Sequence, residues 1–126
     1  MNYWFENYVM LDGPDEEINR FRAAIEAQDC KHGCRFICLH HFAELLPPID
    51  PNGEIVYIDR FWMDDNPYNI EEHSFVVSSA WRSIGILLVA ASAVFPAIKF
   101  HCWSCEDDGT PYSMDIQHGK ISNEVT

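Results

Sequence analysis

The stretch 73–105 decides the fold, and it reads HSFVVSSA, then WRSIGILLVAASAVF, then PAIKFHCWSC. The outer segments, 73–80 and 98–105, are rich in β-branched and aromatic residues and predict strands. The middle segment predicts a helix over 81–95, because its apolar residues recur at helical spacing and Pro96 cannot continue it. The buried face predicted for this helix comprises Ile84, Leu87, Leu88, Ala91 and Phe95.

Upstream of this unit, the sequence predicts a strand over 3–11 and then a helix. Pro14 suits the first helical position, and the acids that follow it favour the positive end of a helix dipole. The helix is predicted to end near Gln28, with an apolar stripe of Ile18, Phe21, Ala24 and Ile25. Two further strands are predicted over 35–42 and 54–63.

Downstream, residues 112–117 and 120–125 predict a hairpin around His118 and Gly119. The element order is then strand, helix, strands, helix, strands, which predicts one α+β domain over residues 1–126. The specific expectation is a ferredoxin-like sandwich, in which two helices pack on one face of an antiparallel sheet.

Charge and composition exclude several classes of function. The chain has 126 residues and a formal net charge of −12, and such a surface repels nucleic acid and anionic membranes. No segment reaches the roughly 18 apolar residues of a membrane span. The N-terminus has no basic region before an apolar run, so we expect a cytoplasmic protein with reduced cysteines.

Two parts of the chain carry a family resemblance. One is NYWFENYV at 2–9 with GPDEEI at 13–18, and the other runs from SAW at 79–81 to FP at 95–96, continuing to HGK at 118–120. In these parts the chain resembles the ferredoxin-like domain proteins of unknown function that phages and plasmids carry. The resemblance implies a ferredoxin-like fold and a mobile-element origin. It implies no catalytic residues, because none are established for that family.

Cysteines form the sharpest candidate for a metal site. Two thiolate pairs, Cys30 with Cys34 and Cys102 with Cys105, would supply the four sulfur ligands that a structural zinc ion prefers. The alternative is a set of buried thiols without metal, since cysteine is among the most buried residue types. A spacing of three on a strand also places Cys102 and Cys105 on opposite faces. No other cofactor is expected.

Acidic clusters are the candidate partner-binding residues. At such spacings, carboxylates can imitate a phosphate ladder and occupy the nucleic-acid site of a basic protein. The alternative is a set of dipole-capping and solvated turn residues. The predicted interface comprises Asp15, Glu16, Glu17, Asp64, Asp65, Glu71, Glu72, Glu106, Asp107 and Asp108, with Trp62 and Tyr68 as aromatic anchors.

Three functions remain open. The first is a non-enzymatic nucleic-acid mimic that inhibits a host defence complex, with an anti-CRISPR protein as its concrete form and a basic CRISPR effector subunit as its partner. The second is a zinc-stabilised structural or regulatory module, with a homodimer through a sheet edge as one form. The third is an enzyme that uses a cysteine or a histidine, for which the sequence shows no orienting third group.

Overall fold

The computed structural model describes residues 4–26, 38–39, 42, 61–63, 68–80, 84–106, 109 and 111–125. These residues form an antiparallel sheet and two helices, which is an α+β arrangement. The strands are β1 (Trp4–Asp12), β2 (Phe61–Met63), β3 (Ser74–Ala80), β4 (Lys99–Glu106), β5 (Pro111–Gln117) and β6 (Lys120–Val125), and the helices are α1 (Asp15–Ile25) and α2 (Gly85–Val94).

The sheet has six strands in the order β2-β3-β1-β4-β5-β6, and every neighbouring pair is antiparallel. The sheet therefore has two strands more than the four-stranded sheet of a simple ferredoxin-like sandwich, because the hairpin of β5 and β6 extends it beyond β4. The hairpin turn is the predicted one: His118 and Gly119 both have positive φ, at 54° and 73°. Positive φ at both central residues matches the twist of a two-residue hairpin loop.

Helix α1 follows β1 through a tight connection. Three acids occupy its first turn, and the Ile18 N–H donates to the Pro14 carbonyl over 3.0 Å. Its buried residues are Ile18, Phe21 and Ile25. The prediction for Ala24 is wrong: this side chain is exposed because it lies outside the arc that the other three share.

Helix α2 buries the face that the sequence predicts, since Ile84, Leu87, Leu88, Ala91 and Phe95 are all at most 4% exposed. The helix ends where the Phe95 N–H donates to the Ala91 carbonyl, just before Pro96. The hydroxyl oxygen of Ser92, on this helix, accepts a hydrogen bond from the Gly119 N–H over 2.9 Å. This bond ties the β5–β6 turn to the helical layer.

The core lies between the helices and one face of the sheet. Phe21 of α1 is at its centre, with ring centroids 5.4 Å from Phe95, 5.2 Å from Phe100, 6.2 Å from Phe75 and 5.9 Å from Phe42. Fully burying one such side chain contributes about 1.5–3 kcal/mol. The opposite face of the sheet has no described helix on it.

The strand predicted over 35–42 is wrong at the residues that the structure describes. Phe42 lies in a helical turn, with its N–H donating to the Leu39 carbonyl over 3.0 Å, and Cys38 and Leu39 are not in a strand. A short apolar run fits a strand or a buried helical turn equally well, so periodicity could not separate the two. Of the strand predicted over 54–63, only 61–63 falls within the described residues, and it is β2.

Candidate functional site

Described members of two predicted acidic clusters lie at the same end of the sheet. β1 and β3 are antiparallel neighbours, with Met10 opposite Ser74, and the Leu11 N–H donates to the His73 carbonyl over 2.8 Å. The residues that follow β1 and those that precede β3 therefore lie at the same end. This end of the sheet carries Asp15, Glu16 and Glu17 in the first turn of α1, and Glu71 and Glu72 in the turn before β3. We call these five residues the acidic end.

The third cluster lies at the opposite end. Glu106 pairs with Phe5, at the start of β1, so the length of β1 separates it from the acidic end. The predicted members Asp64, Asp65, Asp107 and Asp108 lie outside the described residues. The described members of two clusters thus lie at one end of the sheet, and Glu106 lies at the other.

Within the acidic end, two carboxylates have local partners. Glu17 forms an ion pair with Arg20 of the same helix at 2.8 Å. Glu72 accepts hydrogen bonds from the Tyr8 hydroxyl at 2.6 Å and from the Ser74 hydroxyl at 3.3 Å. The bond to Glu72 raises the pKa of Tyr8 above its ordinary value, because a negative neighbour disfavours a phenolate. Asp15, Glu16 and Glu71 are exposed and point their charge to solvent.

Tyr68, a predicted aromatic anchor, is a packing residue. Its ring stacks on Phe75 at 6.3 Å, and the Arg22 guanidinium lies 4.9 Å above it. Burial raises the pKa of Tyr68 to about 12. The other anchor, Trp62, lies in the edge strand β2, where its backbone pairs with Ser78.

Trp103 is an exposed aromatic residue among those whose side chains the structure describes, and it is not part of the predicted interface. It lies on β4 opposite Tyr8 of β1, is 46% exposed, and its ring centroid is 5.8 Å from that of Tyr8. The alternation of β4 carried the signal: Phe100, Cys102 and Ser104 are buried, so Trp103 belongs to the face away from the helices.

A row of contacts continues from Trp103 across this open face. His101 stacks on Trp103 at 6.1 Å, and its Nδ1 lies 2.6 Å from Asp115 Oδ1. Asn123 donates to Asp115 Oδ2 over 2.9 Å. The bond from Asn123 and the neighbouring His101 lower the pKa of Asp115. The row fixes the rotamers of its members, which gives the open face a defined shape.

A groove of about 430 Å³ runs across the open face beside this row. Residues from five neighbouring strands line it, from Val76 of β3, through Tyr8 and Trp103, to Ser113 of β5 and Val125 of β6. Its walls are mostly apolar or aromatic. Such a surface suits the apolar and aromatic contacts of a protein partner.

The structure does not place Cys105 and His101 as a cysteine–histidine catalytic pair. Cys105 and His101 share the open face, but they lie four residues apart on β4, which is about 13 Å along a strand. That separation is far beyond hydrogen-bond reach, and the exposed Trp103 lies between them. His101 is oriented by Asp115 without a nucleophile of the described chain beside it.

The predicted zinc ligands are not brought together where the structure describes them. Cys102 is buried on the helix side of the sheet at 1% exposure, whereas Cys105 is exposed on the other face. Cys30 and Cys34 lie outside the described residues. In the described part of the chain, no group of three or more histidine, cysteine or acidic residues is placed to hold a metal ion.

Neither helix of the described chain is long and apolar enough to cross a membrane. Comparison with known proteins adds no relative from which a site could be transferred: no protein-family model, no curated protein and no solved structure matches the chain.

Proposed function

We propose that this protein is a non-enzymatic inhibitor whose acidic end occupies the basic, nucleic-acid-binding site of a host defence complex. The observation that supports the proposal is that described members of two acidic clusters, from distant parts of the sequence, lie at the same end of the sheet. Four of these five residues, Asp15, Glu16, Glu71 and Glu72, are exposed. A net charge of −12 adds long-range attraction to a basic partner.

The proposal includes an assignment of the fold that carries the acidic end. Strands β1 to β4 and the two helices follow the order strand, helix, strand, strand, helix, strand, with the spatial order β2-β3-β1-β4. We propose that this part is a ferredoxin-like core and that β5 and β6 are an addition to its edge. The fold itself carries no function, so the functional argument rests on the acidic end.

The concrete form of the proposal is an anti-CRISPR protein from a phage or another mobile element. Its partner would be an effector subunit that holds guide or target nucleic acid in a basic channel. Carboxylates that replace phosphates in such a channel make attractive contacts with lysine and arginine, and they exclude the nucleic acid by occupying its site. The inhibitor itself binds no nucleic acid in this scheme.

The test is binding to a panel of purified CRISPR effector complexes, measured over a range of salt concentrations. We expect binding that weakens as salt rises, because screening reduces attraction between exposed charges. Glu16→Gln with Glu71→Gln removes two charges from the acidic end, and Glu26→Gln with Glu106→Gln removes two charges elsewhere. The first pair should weaken binding much more than the second.

Two results would overturn the proposal. One is the absence of binding to every effector at low salt. The other is an equal loss of affinity in the two charge-matched double variants, since that would show a general effect of net charge and not a site. Competition with the effector's own nucleic acid, followed by fluorescence anisotropy of a labelled strand, tests the mimicry directly.

A further inference from the structure

We propose that the groove on the open face binds an extended basic segment of a protein partner, with a lysine or arginine side chain of that segment over the Trp103 ring. The juxtaposition that supports this is an exposed tryptophan, a neighbouring tyrosine and a carboxylate, Glu6, in one apolar groove. The inference rests on the proposed function in one respect only, which is that the partner is a basic protein.

The dimensions of the groove fit an extended peptide. It reaches from Val76 on β3 to Val125 on β6 and so crosses five neighbouring strands. Neighbouring strands lie about 4.8 Å apart, so the groove spans roughly 19 Å. An extended chain advances about 3.3 Å per residue, and a segment of about six residues therefore fills it.

The ring of Trp103 is available to a cation from outside the described chain. The described cation–π contacts are those of Arg20 with Phe95 and of Arg22 with Tyr68, and they lie in the helical layer. Trp103 is 46% exposed and is held between Tyr8 and His101. Tryptophan is the ring that cations prefer, and a fixed ring loses little entropy when a cation binds.

Charge in the groove selects a basic occupant. Glu6 is exposed, and it is the charged residue among the described residues that line the groove. Among the described residues, Glu17 forms an ion pair with Arg20, and Asp115 lies against the His101 ring; neither contact involves Glu6. A lysine or arginine that stacks on Trp103 would meet the Glu6 carboxylate, whereas an acidic segment would be repelled.

The probe is a synthetic hexapeptide of alternating arginine and valine, blocked at both ends, with the glutamate–valine hexapeptide as its charge-reversed control. Binding is followed by NMR through the indole N–H resonance of Trp103, which is assigned by its loss in Trp103→Phe. We expect the arginine peptide to shift this resonance and the glutamate peptide to leave it unmoved.

Three variants complete the test. Trp103→Ala should weaken peptide binding by about tenfold, as expected for the loss of a partly shielded cation–π contact. Glu6→Gln should weaken it by about threefold at low salt and little at high salt. Val94→Ala, a change at an exposed apolar residue on α2, should leave the affinity unchanged. Trp103→Phe keeps an aromatic ring if the alanine variant does not fold, and it should bind with intermediate affinity.

The inference and the proposed function fail in different ways. If effectors bind and Trp103→Ala binds them as tightly as the wild type, with the arginine peptide inert, the groove is not the site and the acidic end acts alone. If the arginine peptide binds as predicted and no effector does, the groove stands and the defence-inhibitor proposal falls. If dilution of the protein alone shifts the Trp103 resonance, a second copy fills the groove, and the inference is overturned.

Discussion

Asn7 of β1 holds the start of helix α2 through a hydrogen bond from the Ile84 N–H to its Oδ1, over 3.1 Å. The same oxygen accepts a bond from the Ser104 hydroxyl over 2.6 Å. The amide nitrogen donates to the Val77 carbonyl over 2.9 Å and to the Ser79 hydroxyl over 3.0 Å. One fully buried side chain thus joins three strands and a helix.

Asn7→Ala should therefore destabilise the protein strongly. Each buried polar group that loses its partner costs about 1–3 kcal/mol, so we expect a loss of about 3–5 kcal/mol in the free energy of unfolding. Urea denaturation followed by circular dichroism measures it. Asn19→Ala, at an exposed position on α1, is the control and should change stability by less than about 0.5 kcal/mol. A similar small effect for both variants would contradict the network.

Asp115 should make stability depend on pH in the acid range. Hydrogen bonds from Asn123 and from His101 lower its folded-state pKa below the ordinary 3.8. A depressed carboxyl pKa gives a contribution that is present above 3.8 and is lost as the pH falls through the folded-state value. We therefore expect wild type and Asp115→Asn to differ in the free energy of unfolding above this pH and to converge below it.

Asn123→Ala is the companion variant for Asp115, because it removes the largest cause of the lowered pKa and keeps the carboxylate. It should reduce the acid dependence without abolishing it. Urea unfolding over a series of acid pH values measures all three proteins. An Asp115→Asn profile that stays parallel to the wild type down to the lowest pH would show that the bonds to Asp115 do not stabilise the folded state.

Gly13 is required because the β1–α1 connection passes close to the α2–β4 connection at this residue. A Cβ atom at this position would lie 2.8 Å from the Ala97 carbonyl oxygen, which belongs to the backbone and cannot rotate away. Gly13→Ala should therefore cost about 1–3 kcal/mol. Gly109→Ala serves as the contrast, because no described atom beyond its chain neighbours lies within 4 Å of a Cβ at this position, and its φ of 90° opposes a side chain.

At Gly109, an alanine would be opposed by the positive φ, which should lower the free energy of unfolding by about 1 kcal/mol. Gly13→Ala is therefore expected to be the more destabilising of the two variants. Thermal and urea unfolding of both variants measure the difference. A Gly13→Ala protein as stable as the wild type would show that the β1–α1 and α2–β4 connections do not touch as described.

The rate at which a cysteine is alkylated should differ between the two faces of the sheet. Cys105 is exposed, whereas Cys102 is 1% and Cys38 is 9% exposed. Modification of a buried thiol requires local opening, so native iodoacetamide should alkylate Cys105 at least about tenfold faster than Cys102. Peptide mapping by mass spectrometry follows each site, and labelling in urea is the control that should equalise the rates. Equal native rates would place both thiols on accessible surface.

Much of the fold could be predicted because its patterns are local. Helix α2 has a continuous apolar arc ended by Pro96, and the last hairpin has turn residues between two strands of matching length. The strand prediction around Phe42 is wrong because a short apolar run does not repeat often enough to distinguish a helix from a strand. The addition of the hairpin to the edge of β4 depends on strand pairing, which no local pattern specifies.

The candidate site was harder to predict than the fold. The placement of Glu71 and Glu16 at the same end of the sheet follows from the pairing of β1 with β3, so it can be predicted only once the strand order is known. Tyr68, a predicted anchor, is packed on Phe75, whereas Trp103, which is outside the predicted interface, is exposed. The identity of an aromatic residue does not show whether it is packed in the core or exposed at an interface. The alternation of buried and exposed residues along its strand is the signal that distinguishes the two.

The irregular pairing at Asn123 has a consequence for self-association. β6 forms one border of the sheet, it is exposed along its length, and its register with β5 shifts between Ser113 and Asp115, where Asn123 has a φ of 50°. An interrupted ladder offers a poor template for strand addition by another molecule. We therefore expect this border to be a poor site for strand addition by a second molecule.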